Sequence, residues 1–171
     1  MIKRNVQGYT LLEMMITTAI LLILITVGVP GMQEFIKNNR ILASTSHIMT
    51  SIKSARSEAM TQRSFVTVCM SADGATCGGS WTEGHIAFVD TDADGTVDAG
   101  EQVFLANRQE SVDVTITYSG GDFIRFDRRG RAVGSSGLML FCDDRGTPNA
   151  RGITVEPIGR SMVAGGALVC P

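Results

Sequence analysis

The sharpest chemical pattern in the sequence is Asp90-Thr91-Asp92-Ala93-Asp94-Gly95-Thr96-Val97-Asp98-Ala99-Gly100-Glu101. Acids at positions 1, 3, 5, 9 and 12 with glycine at 6 match the spacing of the twelve-position calcium loop. Calcium takes several hard oxygens, and carboxylates crowded this closely repel one another unless a cation sits between them. Asp90, Asp92, Asp94, Thr96, Asp98 and Glu101 are therefore the candidate ligands of a calcium ion, structural rather than sensory. The alternative is an acidic, glycine-bearing hairpin turn, because strand patterns flank the loop where a helix–loop–helix unit needs helices.

A second cluster is basic. Arg125, Arg128, Arg129 and Arg131 fall within seven residues, and Arg145, Arg151 and Arg160 follow. Such clusters neutralise phosphates, and Arg128, Arg129, Arg131 and Arg160 are the candidate contacts to DNA. Asp122, Asp127, Asp143 and Asp144 lie among them, so solvated or ion-paired arginines are the competing reading. Catalysis has no foothold. His47 and His85 have no nucleophile or metal partner at a meaningful spacing, and no phosphate loop or GxSxG is present. The chain is not expected to be an enzyme, nor to require a cofactor.

Cys69, Cys77, Cys142 and Cys170 are the four cysteines. An even count behind an export signal points to two disulfides in an oxidising compartment. Four cysteines permit three pairings; Cys69–Cys77 and Cys142–Cys170 are favoured, since each pair brackets a loop-rich segment.

The last chemical oddity is Glu13. The chain opens short and basic, with Lys3 and Arg4, and from residue 9 to 29 Glu13 is the one ionisable side chain apart from the Tyr9 phenol. Those residues suffice as a helix to cross the ~30 Å of a bilayer core, and Lys3 and Arg4 would hold the N-terminus in the cytoplasm. A secretory leader would be cleaved after its apolar stretch, behind small residues. Here a long helical pattern follows instead. A carboxylate in such a run is costly and usually marks function. The positive end of the helix dipole offsets part of the cost, and a freed amino terminus on another copy would offset more.

Gly8-Tyr9-Thr10-Leu11-Leu12-Glu13 resembles the class III signal of type IV pilins and pseudopilins, which a prepilin peptidase cuts after glycine. The resemblance implies cleavage between Gly8 and Tyr9, N-methylation of Tyr9, and an assembly role for Glu13. Tyr9 replaces the more usual phenylalanine. Downstream, Ala55-Arg56-Ser57-Glu58-Ala59, Trp81 with Gly84-His85-Ile86-Ala87-Phe88-Val89-Asp90, and Asn149-Ala150-Arg151-Gly152-Ile153 resemble the GspH/FimT/FimU-type domain of minor pilins and type II secretion pseudopilins. Some FimT-type pilins take up DNA through a C-terminal Gly-Arg-x-Arg motif. The matching stretch here, Gly159-Arg160-Ser161-Met162, lacks the second arginine.

The elements that must position these groups follow from periodicity. Ile41, Thr45, Ile48, Ile52, Ala55 and Ala59 step by four and three, a helical stripe. One helix is thus expected from Tyr9 to about Arg63, loosened or kinked near Pro30 and Gly31. Period-two patterns then predict strands at 65–70, 85–90, 102–106, 112–118, 123–126, 138–142, 153–156 and 167–170. The expected organisation is a leader at 1–8, a membrane and pilus-core helix at 9–30, an amphipathic helix at 31–63 and a β domain at 64–171. The fold class is α+β, a long helix packed on an antiparallel sheet or sandwich.

The net charge of −2 conceals a division. Residues 64–119 hold nine acids and one basic residue, Arg108, whereas 120–171 hold seven arginines and five acids. Taken with the resemblance, these features imply a minor pilin of a priming or tip complex, held by a single pass in the inner membrane with its domain in the periplasm and later built into the pilus. The implied partners are the prepilin peptidase, other minor pilins, the major pilin and the inner-membrane assembly platform. A DNA receptor at the pilus tip and a type II secretion pseudopilin are the alternatives.

Overall fold

Fifty-two consecutive residues, Leu11–Gln62, form the helix α1 in a computed structural model that describes residues 9–108 and 113–171. Thr10 starts it: its Oγ1 accepts the amide hydrogen of Glu13 at 3.2 Å, the arrangement of a Thr-x-x-Glu cap. Arg63 ends it by turning left-handed, with φ of 53°. Pro30 lies inside the helix, so the carbonyl of Thr26 receives no hydrogen bond from residue 30. The helical geometry nevertheless runs through this point.

The chain divides into two compact units, one through Lys37 and the other Asn38–Pro171. In the first, every described residue through Ile36 is exposed. A window here has a mean hydropathy of 2.3, enough in length and composition to cross a membrane. The hydroxyls of Thr17, Thr18 and Thr26 each donate to a carbonyl one turn back, so they add little polarity to that apolar surface.

In the second unit α1 buries Ile41, Thr45, Ile48, Ser51, Ile52, Ala55 and Ala59. These side chains meet two four-stranded antiparallel sheets. The first has the order β3-β2-β1-β5, from Val103–Arg108, Gly84–Asp90, Phe65–Met70 and Phe123–Phe126. The second has the order β4-β6-β7-β8, from Thr115–Tyr118, Gly137–Cys142, Arg151–Val155 and Ser161–Val163. Val66, Val68, Ala87, Ile124, Phe126, Met139, Phe141 and Ile153 join the helix stripe in one core.

Alternation along the strands turns the other residues of the first sheet outward. Ile86, Phe88 and Cys69 form a second cluster, covered by Cys77, Val97, Val103 and Phe123. That is why all seven residues of β2 are buried: the helix covers one face and the loop carrying Val97 helps to cover the other.

Two expectations are corrected. The strand expected at 167–170 is absent; the final strand is β8, Ser161–Val163. A tight turn causes this, with Gly159 N–H donating to Glu156 O at 2.8 Å and Glu156 N–H to Arg160 O at 2.9 Å, which returns the chain early to β7. The strand expected at 112–118 begins at Thr115. Val112 lies outside the described residues, and Asp113 forms an ion pair with Arg40 at the turn.

Candidate functional site

At the start of α1, Glu13 sits in the first turn, where the helix dipole favours an anion. Its amide is taken by Thr10. Among the described residues nothing pairs with its carboxylate, and Tyr9, Leu11 and Leu12 around it are exposed. Gly8 lies outside the described residues. Thr10 was missed as a cap by sequence reasoning, although Thr-x-x-Glu ahead of an apolar run is a recognised signal for it.

The acidic loop joins β2 to β3. Asp90 closes β2 and is fully buried on the outer face of the sheet. Its Oδ2 accepts hydrogen bonds from Thr67 Oγ1 at 2.5 Å and Arg125 Nε at 3.1 Å. Register explains the meeting. Thr67 faces Arg125 on β5 and Phe88 on β2, so Thr67, Arg125 and Asp90 share one face. Arg125 also lies over the Phe123 ring, 4.7 Å from its centroid.

One carboxylate oxygen from each of Asp90, Asp92 and Asp94 falls within 4.8 Å of the others. Asp98 and Glu101 are not part of that group. Thr96 donates its N–H to Asp94 Oδ1 at 2.7 Å. Glu101 closes the loop, accepting from Thr91 N at 2.7 Å with Oε1 and from Asp98 N at 3.2 Å with Oε2. Asp94 is held below the usual carboxylate range, first by the Thr96 amide. Asp98 is pushed up, first by the charge of Asp94. Gly95, the sixth position, has φ of 88°, a conformation that suits glycine.

The basic residues separate into two kinds. Arg131 is paired with Asp127 at 2.7 Å, and the amides of Arg129 and Arg131 donate to Asp127 Oδ1. Burial opposes the charge of Asp127, yet these donors hold its pKa below the usual range. Arg128 lies over the Phe65 ring at 5.8 Å. Arg160 instead lies beside α1, near helix residues that sequence spacing did not connect to it. With Lys53, Arg56, Ser57, Met60 and Ser161 it lines a cavity of about 300 Å³ that has no carboxylate in its wall. Glu156 stands 3.7 Å from Arg160 Nε.

Arg56 fastens this corner. Its Nε donates to Gly130 O at 2.9 Å and its Nη2 to Ile158 O at 3.3 Å, joining the helix to the β5–β6 and β7–β8 turns. Those turns touch. A Cβ added at Gly159 would stand 1.8 Å from Gly130 O, so only glycine fits.

Disulfides join Cys69 to Cys77 and Cys142 to Cys170, with Cα separations of 5.6 and 5.9 Å. Between them they brace the outer face of β1 and the C-terminal segment. By loop entropy alone they would add roughly 2.5 and 3.5 kcal/mol. His85 is buried, its Nε2 2.7 Å from Ser51 Oγ, and burial lowers its pKa to about 4. This contact links α1 to β2 in the core.

Residues 44–159 match the family described as type II transport protein GspH, and residues 3–29 match the prokaryotic N-terminal methylation motif. No curated protein matches the chain. Two crystal forms of the type IV minor pilin FimU of Pseudomonas aeruginosa PAO1 share the fold. One is 18% identical with a TM-score of 0.62, covering 77% of this chain and 92% of that one. The other is 16% identical with a TM-score of 0.54, covering 72% and 92%. The family match spans more than half of the sequence, and it accords with the methylation motif and the fold. The chain belongs to the GspH/FimT/FimU-type family of type IV pilin-like proteins, structural and non-enzymatic proteins anchored in the inner membrane by one N-terminal helix, with the globular domain in the periplasm.

Proposed function

We propose that this chain is a minor pilin of a priming or tip complex that initiates type IV pilus assembly. Glu13 carries the reading: one carboxylate on an exposed apolar helix, with no described partner for it in its own chain. Once the leader is cut after Gly8, the methylated amine of Tyr9 on a neighbouring subunit supplies the missing charge. Pairing it with Glu13 sets the axial register of helices stacked in a shared apolar core. Other minor pilins and the major pilin are those neighbours, and the prepilin peptidase and the assembly platform act before them.

Breaking a buried ion pair from one side costs about 3–5 kcal/mol. Glu13→Ala should therefore reach the membrane normally and be depleted from sheared pili by roughly tenfold or more. Immunoblots of the membrane and pilus fractions measure both, and normal incorporation of the variant sinks the mechanism.

One observation favours a second reading, a DNA receptor at the pilus tip. Lys53, Arg56 and Arg160 converge on a cavity with no carboxylate in its wall, a setting that suits a phosphodiester. A strain lacking the gene separates the roles. Near-total loss of surface pili supports priming, whereas normal pili with lost transformation support reception. Normal pili with lost protein secretion would place the chain among the pseudopilins.

A further inference from the structure

The loop between β2 and β3 holds more negative charge than its surroundings offset. The loop carries Asp90, Asp92, Asp94, Asp98 and Glu101, and among the described residues the one ion pair these acids make is that of Asp90 with Arg125. The pairing of Asp90 with Arg125 is also incomplete. Asp90 is fully buried and its Oδ2 is engaged by Thr67 and Arg125, yet its Oδ1 has no hydrogen-bond partner. An orphaned buried carboxylate oxygen bears its full desolvation cost. It belongs to the carboxylate whose ligand-type oxygen converges with those of Asp92 and Asp94 within 4.8 Å.

Three convergent carboxylates, one of them buried and underused, constitute a site for a hard divalent cation. We propose that Asp90, Asp92 and Asp94 bind one calcium ion, with water completing its coordination. The site differs from the twelve-position loop that its sequence imitates. Glu101 uses both carboxylate oxygens to close the loop onto Thr91 and Asp98, and so is not offered as the bidentate twelfth ligand. Fewer protein ligands make the site weak, with a Kd on the order of 0.1–1 mM, the range of extracellular calcium modules. Magnesium, which demands stricter octahedral geometry and sheds water reluctantly, binds less well. The ion would brace a loop that already packs Val97 against the outer face of the first sheet.

The competing arrangement needs no metal. Arg125 Nη2 is also buried without a partner, and a hydrogen bond from it to Asp90 Oδ1 would satisfy both groups. Calorimetric titration of the full chain in non-ionic detergent, stripped with EDTA and titrated with CaCl2 to about 10 mM, distinguishes the two. The expected result is one calcium per chain and a midpoint of unfolding raised by several degrees in calcium. Asp92→Asn/Asp94→Asn should bind at least tenfold more weakly while its metal-free unfolding is no easier than that of the wild type, since both side chains are exposed, their mutual repulsion is relieved and the Asp90–Arg125 pair is kept. Asp92→Asn alone serves should the double variant fold poorly. Absence of saturable binding by the wild type, or wild-type binding by these variants, overturns the site in favour of the self-neutralised loop.

Discussion

The two parts of α1 obey different rules. Through Ile36 the helix is apolar on nearly every side and exposed throughout, whereas from Ile41 to Ala59 a narrow stripe is buried and most of the remaining surface is polar. Hydrophobicity is greater in the part whose described residues are exposed. The difference teaches that an all-round apolar helix is written for surroundings outside the molecule, and a striped one for the chain that carries it. Ile52 is constrained by a core already closed, whereas Glu13, under the function proposed above, answers to subunits not yet assembled.

Truncations sharpen that contrast most. Phe141 is fully buried in the main core, and Phe141→Ala should destabilise the Asn38–Pro171 unit by about 3–5 kcal/mol. Leu21→Ala, on the exposed stretch, should leave the unfolding of that unit within about 0.5 kcal/mol of the wild type. Urea titration of both variants measures the difference, and equal losses would break the division.

A smaller effect comes from His85. Its folded pKa of about 4 lies below the ordinary value of 6.5, so the unfolded chain binds the proton more readily between those values. The stability contributed by neutral His85 is therefore present above pH 6.5 and lost as pH falls toward 4. Between pH 7.5 and 5 the loss should be about 2 kcal/mol. His85→Gln should flatten that part of the profile, and an unchanged slope would show that His85 does not report the core in this way.

Much of this was legible in the sequence because it is periodic. Ile41, Thr45, Ile48, Ile52, Ala55 and Ala59 were all identifiable from their spacing, and β1 and β5 run over the residues that alternation predicts. What periodicity could not supply was meetings between distant segments. Ser51 looks like a polar interruption of the stripe until His85 is found 2.7 Å from it. Arg56 looks like a solvated helix residue, yet it holds two turns about seventy and one hundred residues away. The misplaced last strand has a local cause: Val169 and its neighbours have strand-forming composition, but the turn at 156–160 had already supplied β7 with a partner.

The candidate sites divide along the same line. The acidic loop is contiguous, so its composition was visible at once, although the separate duties of Glu101 and Asp90 were not. The basic corner is assembled from α1, the β5–β6 turn and the β7–β8 turn, and no linear motif joins Lys53 to Arg160.

The contact between Gly130 and Gly159 limits how this corner can change by descent. A side chain at position 159 would overlap the carbonyl of residue 130, and one at position 130 would crowd Met60 and Arg56. Gly159 cannot be replaced without moving the other turn, and a side chain at the left-handed position 130 would have to displace Met60 and Arg56. Lys53 and Arg160 are under no such restriction, since they project around an open cavity. Lineages can therefore redraw the charge of this surface one substitution at a time, while the backbone that presents it stays fixed.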